Sequence, residues 1–132
     1  MAVEAAGVRI AVAEDEPDVR NTFVRMLEHL GHKVICAVAN GAELLDRCSM
    51  DQVDVVFVDL DMPVMDGLAT AQELSGKGIP VILVSGHPDA DRVVLEHEPV
   101  AMRLSKPATL ESLQSAIEQV IADVSEAPRH PK

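Results

Sequence analysis

Short apolar runs alternate along this chain with stretches whose apolar residues recur every three or four positions, and that alternation leaves few folds open. The runs are VRIAVA (8–13), KVICAVA (33–39), VDVVFVD (53–59), IPVILVS (79–85) and VAMRLS (100–105). After the first, Pro17 suits the opening turn of a helix, Val19, Phe23, Met26, Leu27 and Leu30 share one face, and Gly31 ends it. GAELLDRC (41–48) reads as a second helix with Leu45 and Cys48 turned inward, and Leu68, Ala71 and Leu74 mark a third. A fourth, from Asp89 to His97, is short and charged, anchored by Val93, Val94 and Leu95. The last carries Leu110, Leu113, Ile117, Val120 and Val124 on one stripe, with Thr109 placed to cap it. The third strand lacks a strict polar alternation, as expected of a strand covered on both faces. Five strand-helix repeats of this kind predict an α/β fold, a doubly wound five-stranded parallel sheet with right-handed crossovers.

At 132 residues the chain is long enough for one domain with its own core. Residues 8–124 are expected to form it, with 1–7 and 125–132 as flexible tails. Phe23 and Phe57 are the only aromatic residues, so the core must be aliphatic and stacking on nucleobases is disfavoured. A net charge of -11 argues against nucleic acid and anionic membranes as partners of this domain. Cys36 and Cys48 show no CxxC spacing, and the expectation is two free buried thiols in a reducing compartment. The apolar runs are only strand-length, so neither a signal peptide nor a membrane span is expected, and the protein is expected to be cytoplasmic.

In parallel α/β sheets, function gathers where the strands end at their carboxyl side. The polar residues just beyond each strand are Glu14, Asp15 and Glu16, then Asn40, then Asp59 and Asp61, then Ser85 and His87, then Lys106. Carboxylates gathered at one edge repel one another unless a cation shares the site. Mg²⁺ (or Mn²⁺) is the natural occupant, since it favours one or two carboxylates, several waters and a phosphate oxygen. Asp15 and Asp59 are the expected direct ligands, with Glu14 direct or acting through water. Lys106 and Ser85 would add an ammonium and a hydroxyl, a set suited to a phosphoryl group in transit. The nucleophile would then be a carboxylate.

The order Glu14-Asp15, Asp59, DMPVMDG (61–67), Ser85 and Lys106-Pro107 resembles the receiver domain of two-component response regulators, of the single-domain, CheY-like kind, over residues 8–124. The resemblance implies a flavodoxin-like (βα)5 sheet of strand order 2-1-3-4-5. It implies that Asp59 is the phosphoacceptor, that Glu14, Asp15, Asp59 and the backbone carbonyl of Asp61 hold Mg²⁺, that Ser85 is the switch hydroxyl, that Lys106 pairs with the acyl phosphate, and that the Lys106–Pro107 bond is cis. A histidine kinase or phosphotransfer protein would be the donor, docking near the first helix and the loop after the fifth strand; the downstream target would be a protein. Such a domain catalyses its own phosphorylation and dephosphorylation and is not an enzyme on an external substrate. Asp66 reads as a helix cap, and Gly67 as a residue chosen for an unusual backbone angle.

Two positions depart from the family pattern, and two more bear on the lifetime of the phosphoryl group. Arg103 stands where an aromatic switch residue is common, Ala108 where a large apolar residue often follows Lys-Pro, and Asp61 and His87 flank the path of the hydrolytic water. Arg103 is either a surface strand-end residue or part of an altered switch, running through itself or through a shift of the fourth helix. Residues 86–99 are expected to be mobile. The sequence carries no effector segment after residue 124, and a stand-alone receiver is expected, the alternative being a receiver cut from a longer regulator. Two other functions share some of these residues. FVDLDM also fits the Asp-x-Asp signature of haloacid-dehalogenase-like phosphatases, with Asp59 as nucleophile and Asp61 as acid and base, although the acidic pair then lies upstream rather than downstream of Lys106. The other is a receiver-like binding module that works without phosphorylation.

Overall fold

The computed structural model describes residues 7–60, 67–86 and 100–126. Its elements in chain order are β1 (Arg9–Ala13), α1 (Pro17–His29), β2 (Lys33–Val38), α2 (Gly41–Arg47), β3 (Val55–Asp59), α3 (Gly67–Ser75), β4 (Val81–Ser85), β5 (Met102–Ser105) and α4 (Leu110–Glu126), with a 3₁₀ turn at Met50–Gln52. The helix expected over 89–97, residues 1–6 and 127–132 of the expected tails, Asp61, Asp66 and His87, and all but Gly86 of the segment expected to be mobile, lie outside the described residues; Ser125 and Glu126, expected to open the second tail, instead continue α4, and the Gly7 N–H donates to the Gly31 carbonyl.

The strands form one parallel sheet in the order β2-β1-β3-β4-β5. Every residue of β3 is buried, as its run without alternation anticipated, and every residue of β4 is buried as well. Successive side chains of β3 go to opposite faces. Val55 and Phe57 join α1 and α4 in a core with Ile10, Phe23, Leu27, Leu113 and Ile117. Val56 and Val58 join α2 and α3 with Ala11, Leu44, Ala71 and Leu74. The two phenylalanines meet in the first of these layers, ring centroids 6.1 Å apart.

Local chemistry sets the helix limits. Pro17 opens α1, where its missing N–H costs nothing. Gly31, at φ 93, ends it: the Gly31 N–H donates to the Glu28 carbonyl and the His32 N–H to that of Leu27, satisfying groups the helix leaves bare. Thr109 caps α4 as expected, its Oγ1 accepting from the Ser112 N–H at 3.0 Å while Ser112 Oγ accepts from the Thr109 N–H at 2.8 Å. Leu113, Ile117 and Val120 of the expected stripe are buried, but Leu110 is 39% exposed, because as the first residue of α4 it lies beyond the sheet that the others cover. Buried His32 ties three elements together. Its Nδ1 accepts the Val8 N–H at 3.2 Å, and its Nε2 lies 2.8 Å from Gln114 Oε1 on α4. At the edge away from the strand carboxyl ends, Arg9 clamps Asp54 through both its backbone N–H and its guanidinium.

Two expectations fail. Cys36 and Cys48 are not free thiols: they form a disulfide, with Cα atoms 5.9 Å apart. From Cys36 the chain runs ~7 Å to the end of β2 at about 3.3 Å per residue and on through Ala39 and Asn40, before the seven residues of α2 bring it back ~10 Å at about 1.5 Å each. The return along α2 undoes the outward run, so a separation of 12 residues closes on itself.

Gly67 is the other failure. Its φ lies outside the left-handed region, so backbone angle is not why glycine stands there. Space is the reason: a Cβ at this position would lie 2.6 Å from the Asp59 carbonyl oxygen, 2.8 Å from Leu83 Cδ1 and 2.9 Å from Leu60 Cα. Two of those three atoms are backbone and cannot swing aside. Gly67→Ala is therefore expected to destabilise the fold by about 1–3 kcal/mol, the usual cost of overpacking, read as a lower urea midpoint. A midpoint equal to that of the unaltered chain would show that the close approach is not a constraint.

Candidate functional site

Three strand ends converge on one group of charges. β1 runs into Glu14, whose backbone N–H donates to the Val38 carbonyl at 3.0 Å and so extends the ladder to β2. This holds the Glu14 side chain over the sheet edge, 1% exposed, with Asp15 half-buried next to it. β3 ends on Asp59, 6% exposed, opposite Val84. Ser85 closes β4 and is buried beside it. Lys106 follows β5, its backbone N–H donating to the Ser85 carbonyl at 2.8 Å. From there its side chain crosses β4, and Nζ lies 3.0 Å from Glu14 Oε1 and 3.1 Å from Asp59 Oδ1. The Lys106–Pro107 peptide is cis, as the family resemblance implied.

The electrostatics follow from burial and proximity. Burial pushes the Glu14 carboxyl above its usual range, and the charge of Asp59 pushes in the same direction; the Glu16 N–H, 3.1 Å from Glu14 Oε2, and the Lys106 ammonium pull it back only in part. For Lys106, burial is the largest influence and acts against the charged form. The contacts with Glu14 and Asp59 outweigh it, so its pKa is raised and the ammonium is secure.

The residues suit a hard divalent cation. Glu14, Asp15 and Asp59 each offer a carboxylate oxygen, and these oxygens lie within 4.8 Å of one another. Glu14 Oε1 is buried and has no hydrogen bond of good geometry, only the ion pair with Lys106. Three carboxylates that share a single ammonium are a ligand set wanting further positive charge.

Not every residue near the strand ends joins this group. Asn40 instead caps α2, accepting the Glu43 N–H at 2.9 Å, while Glu43 returns a contact to the Ala39 N–H. Glu16 is the exposed N-cap position of α1. Arg103 is half-buried on β5, in register with Leu83, and three residues short of Lys106. Asp61 and His87 lie outside the described residues, so their expected places beside the metal and the water path stay with the sequence.

Two features went unrecognised in the sequence. Arg20 donates from Nη1 to the Glu14 carbonyl at 2.8 Å, pinning the acidic loop from the first turn of α1. Its place one turn after Glu16 was a readable signal. The second is an apolar cleft of about 570 Å³ between α1 and the loop after β5, lined by Val19, Phe23, Met26, Pro107 and Ala108 and bordered by Lys106. The small side chain of Ala108 helps to leave it open.

Residues 10–118 match the family model described as the response regulator receiver domain. The chain is 33% identical over 121 residues to the tetrathionate response regulatory protein TtrR of Salmonella typhimurium, covering 89% of this chain and 58% of that protein. It is 29% identical over 116 residues to the transcriptional regulatory protein PdtaR of Mycobacterium tuberculosis, covering 86% and 57%. It thus spans less than two thirds of the length of these relatives. A crystal structure of a response regulator receiver domain protein from Clostridium thermocellum superposes with a TM-score of 0.78 at 28% identity, covering 90% of this chain and 98% of that one. Its sheet order, its acidic cluster and this match place the chain in the receiver-domain family of two-component response regulators.

Proposed function

We propose that residues 8–124 act as a phosphorelay receiver in which Asp59 is the acceptor. The observation that carries this reading is the Lys106 ammonium, which touches both Glu14 and Asp59 at the carboxyl edge of the sheet. An Asp59 carboxylate oxygen attacks the phosphorus of a phosphohistidine, the P–N bond breaks, and the imidazole leaves with the electron pair and takes up a proton. Lys106 stands where it can neutralise oxygens of the transferring group, and Ser85 offers a hydroxyl to the same group. Glu14, Asp15, Asp59 and the backbone carbonyl of Asp61 would hold Mg²⁺ (or Mn²⁺), which when bound supplies positive charge to the phosphoryl oxygens. Phosphorylation and hydrolytic loss are both the domain's own chemistry, with no external substrate.

Receiver domains interact with histidine kinases or phosphotransfer proteins. For this chain the cleft between α1 and Pro107-Ala108 is the proposed docking place, since it opens beside Lys106. The added charge of an acyl phosphate, about -1.5 to -2, would draw on Ser85 and Lys106 and bias the β5 face, where Arg103 takes the place of the usual aromatic group. Asp61 and His87 are proposed to set the lifetime of the phosphoryl group, and a cytoplasmic location fits a kinase partner. Among the described residues no helix is long and apolar enough to cross a membrane. The phosphatase alternative is not favoured, because the matched family is the receiver domain.

Three outcomes are expected. With Mg²⁺ and a small phosphoramidate donor, intact mass should increase by one phosphoryl group, and Asp59→Asn should abolish the gain; an equal gain in the variant would remove Asp59 from its role. Glu14, with its pKa raised, holds a proton more tightly folded than unfolded, so its contribution to stability is greatest below its ordinary value of 4.5 and is lost as pH rises through the folded value. At pH 7 Glu14→Gln should accordingly raise the Tm of the chelator-treated protein while shrinking the rise that Mg²⁺ produces; a lower chelated Tm would contradict this. Finally, Arg20→Ala should weaken Mg²⁺ binding about tenfold, as loss of an outer-shell support typically does, with Arg20→Lys intermediate. Titration of all three proteins with Mg²⁺ would show it.

A further inference from the structure

Outside the acidic site, the chain's two cysteines are brought together by the fold itself, and neither is used by the chemistry above. We propose that Cys36 and Cys48 are a reversible redox-modification site, open as a dithiol and closed as the disulfide, whose state sets how firmly the loop behind Glu14 is held.

The bond spans the part of the chain least able to hold itself. α2 has seven residues, fewer than an isolated helix needs, and its strand β2 lies at the sheet edge, with β1 as its only neighbouring strand among the described residues. Cys48 is the C-cap residue of α2, and Cys36 is in the middle of β2, so the bond closes a ring around the β2–α2 turn. That turn supports the acidic site. Two residues beyond Cys36, the Val38 carbonyl receives the Glu14 N–H; one further on, the Ala39 N–H bonds to Glu43, and Asn40 caps α2. Cys36 is half-buried whereas Cys48 is 8% exposed, so reagents arrive at Cys36.

The oxidant belongs to the class of small-molecule disulfides, such as glutathione disulfide. The Cys36 thiolate attacks one sulfur of the reagent, the reagent's S–S bond breaks, and one thiol leaves with a proton. The Cys48 thiolate then attacks Cys36 Sγ in the mixed disulfide and expels the second thiol. Two electrons pass from the protein to the reagent, and dithiothreitol reverses the change.

The test uses the whole chain, prepared with dithiothreitol or with glutathione disulfide and freed of reagent. After oxidation, maleimide labelling of the unfolded protein should find no thiol, intact mass should show no glutathione adduct, and non-reducing electrophoresis should show no disulfide-linked dimer. The Tm should rise by roughly 10 °C, as expected for closing a short loop in a domain of this size. Mg²⁺ should bind several-fold more tightly in the oxidised form. Cys48→Ser should match the reduced chain after dithiothreitol, and after glutathione disulfide it should keep one glutathione on Cys36 and show neither the rise in Tm nor the tighter Mg²⁺ binding. In the unaltered chain, two labelled thiols after oxidation, or a lasting adduct at Cys36, would overturn the site. A disulfide that forms but leaves Mg²⁺ affinity unchanged would overturn its link to Glu14. Only the Mg²⁺ readout rests on the proposed function: if neither form binds Mg²⁺, the metal reading fails, while thiol count and Tm still judge the redox site.

Discussion

One ammonium group lies between two buried carboxylates, and much of the architecture serves to bring it there. Glu14 and Asp59 leave adjacent strands at the centre of the sheet, while Lys106 belongs to the far edge and must cross β4 to reach them. All three strands must point the same way, which parallel order ensures. Ser85 anchors the backbone of Lys106, Val38 that of Glu14, and the Gly67 N–H bonds the Leu60 carbonyl next to Asp59. The charges are therefore held by main-chain geometry, and their side chains have little freedom to escape one another.

Such a cluster weakens the fold, and the sheet offsets it. Burying an aliphatic side chain stabilises by about 1.5–3 kcal/mol, and β3 and β4 place four apolar residues each in full burial. The two central strands carry layers on both faces, so the sheet can tolerate strained charge at one end. At the other end the Arg9–Asp54 clamp is a satisfied pair with no strain to supply. Function and stability are divided between opposite ends of the same strands.

Much of this was legible in residue order. β3 and β4 were visible because a short apolar run has one reading in a chain of this pattern, and Glu14, Asp59 and Lys106 were visible because each stands directly after such a run. What escaped depended on distances across the chain. The cysteine pair required the lengths of β2 and α2 to be compared, not their composition. Gly67 looked like a turn residue because the close passage of Asp59 and Leu60 involves no side chain of its own. Arg20 acts on a carbonyl, and carbonyls leave no mark in a sequence. Leu110 followed the apolar period of α4 faithfully, but periodicity cannot say where the sheet beneath a helix stops.

Phe23 has two surfaces to serve. One side of its ring meets Phe57 in the core, while the other is part of the wall of the cleft beside Lys106. Any change that reshapes this wall at Phe23 also opens a hole in the interior, in a protein with only one other aromatic ring to compensate. Divergence towards new partners is thereby channelled to Val19, Thr22 and Met26, which line the same cleft without filling the centre of the core. In evolutionary terms, one ring makes part of the recognition surface slow to drift and leaves its neighbours free to do so.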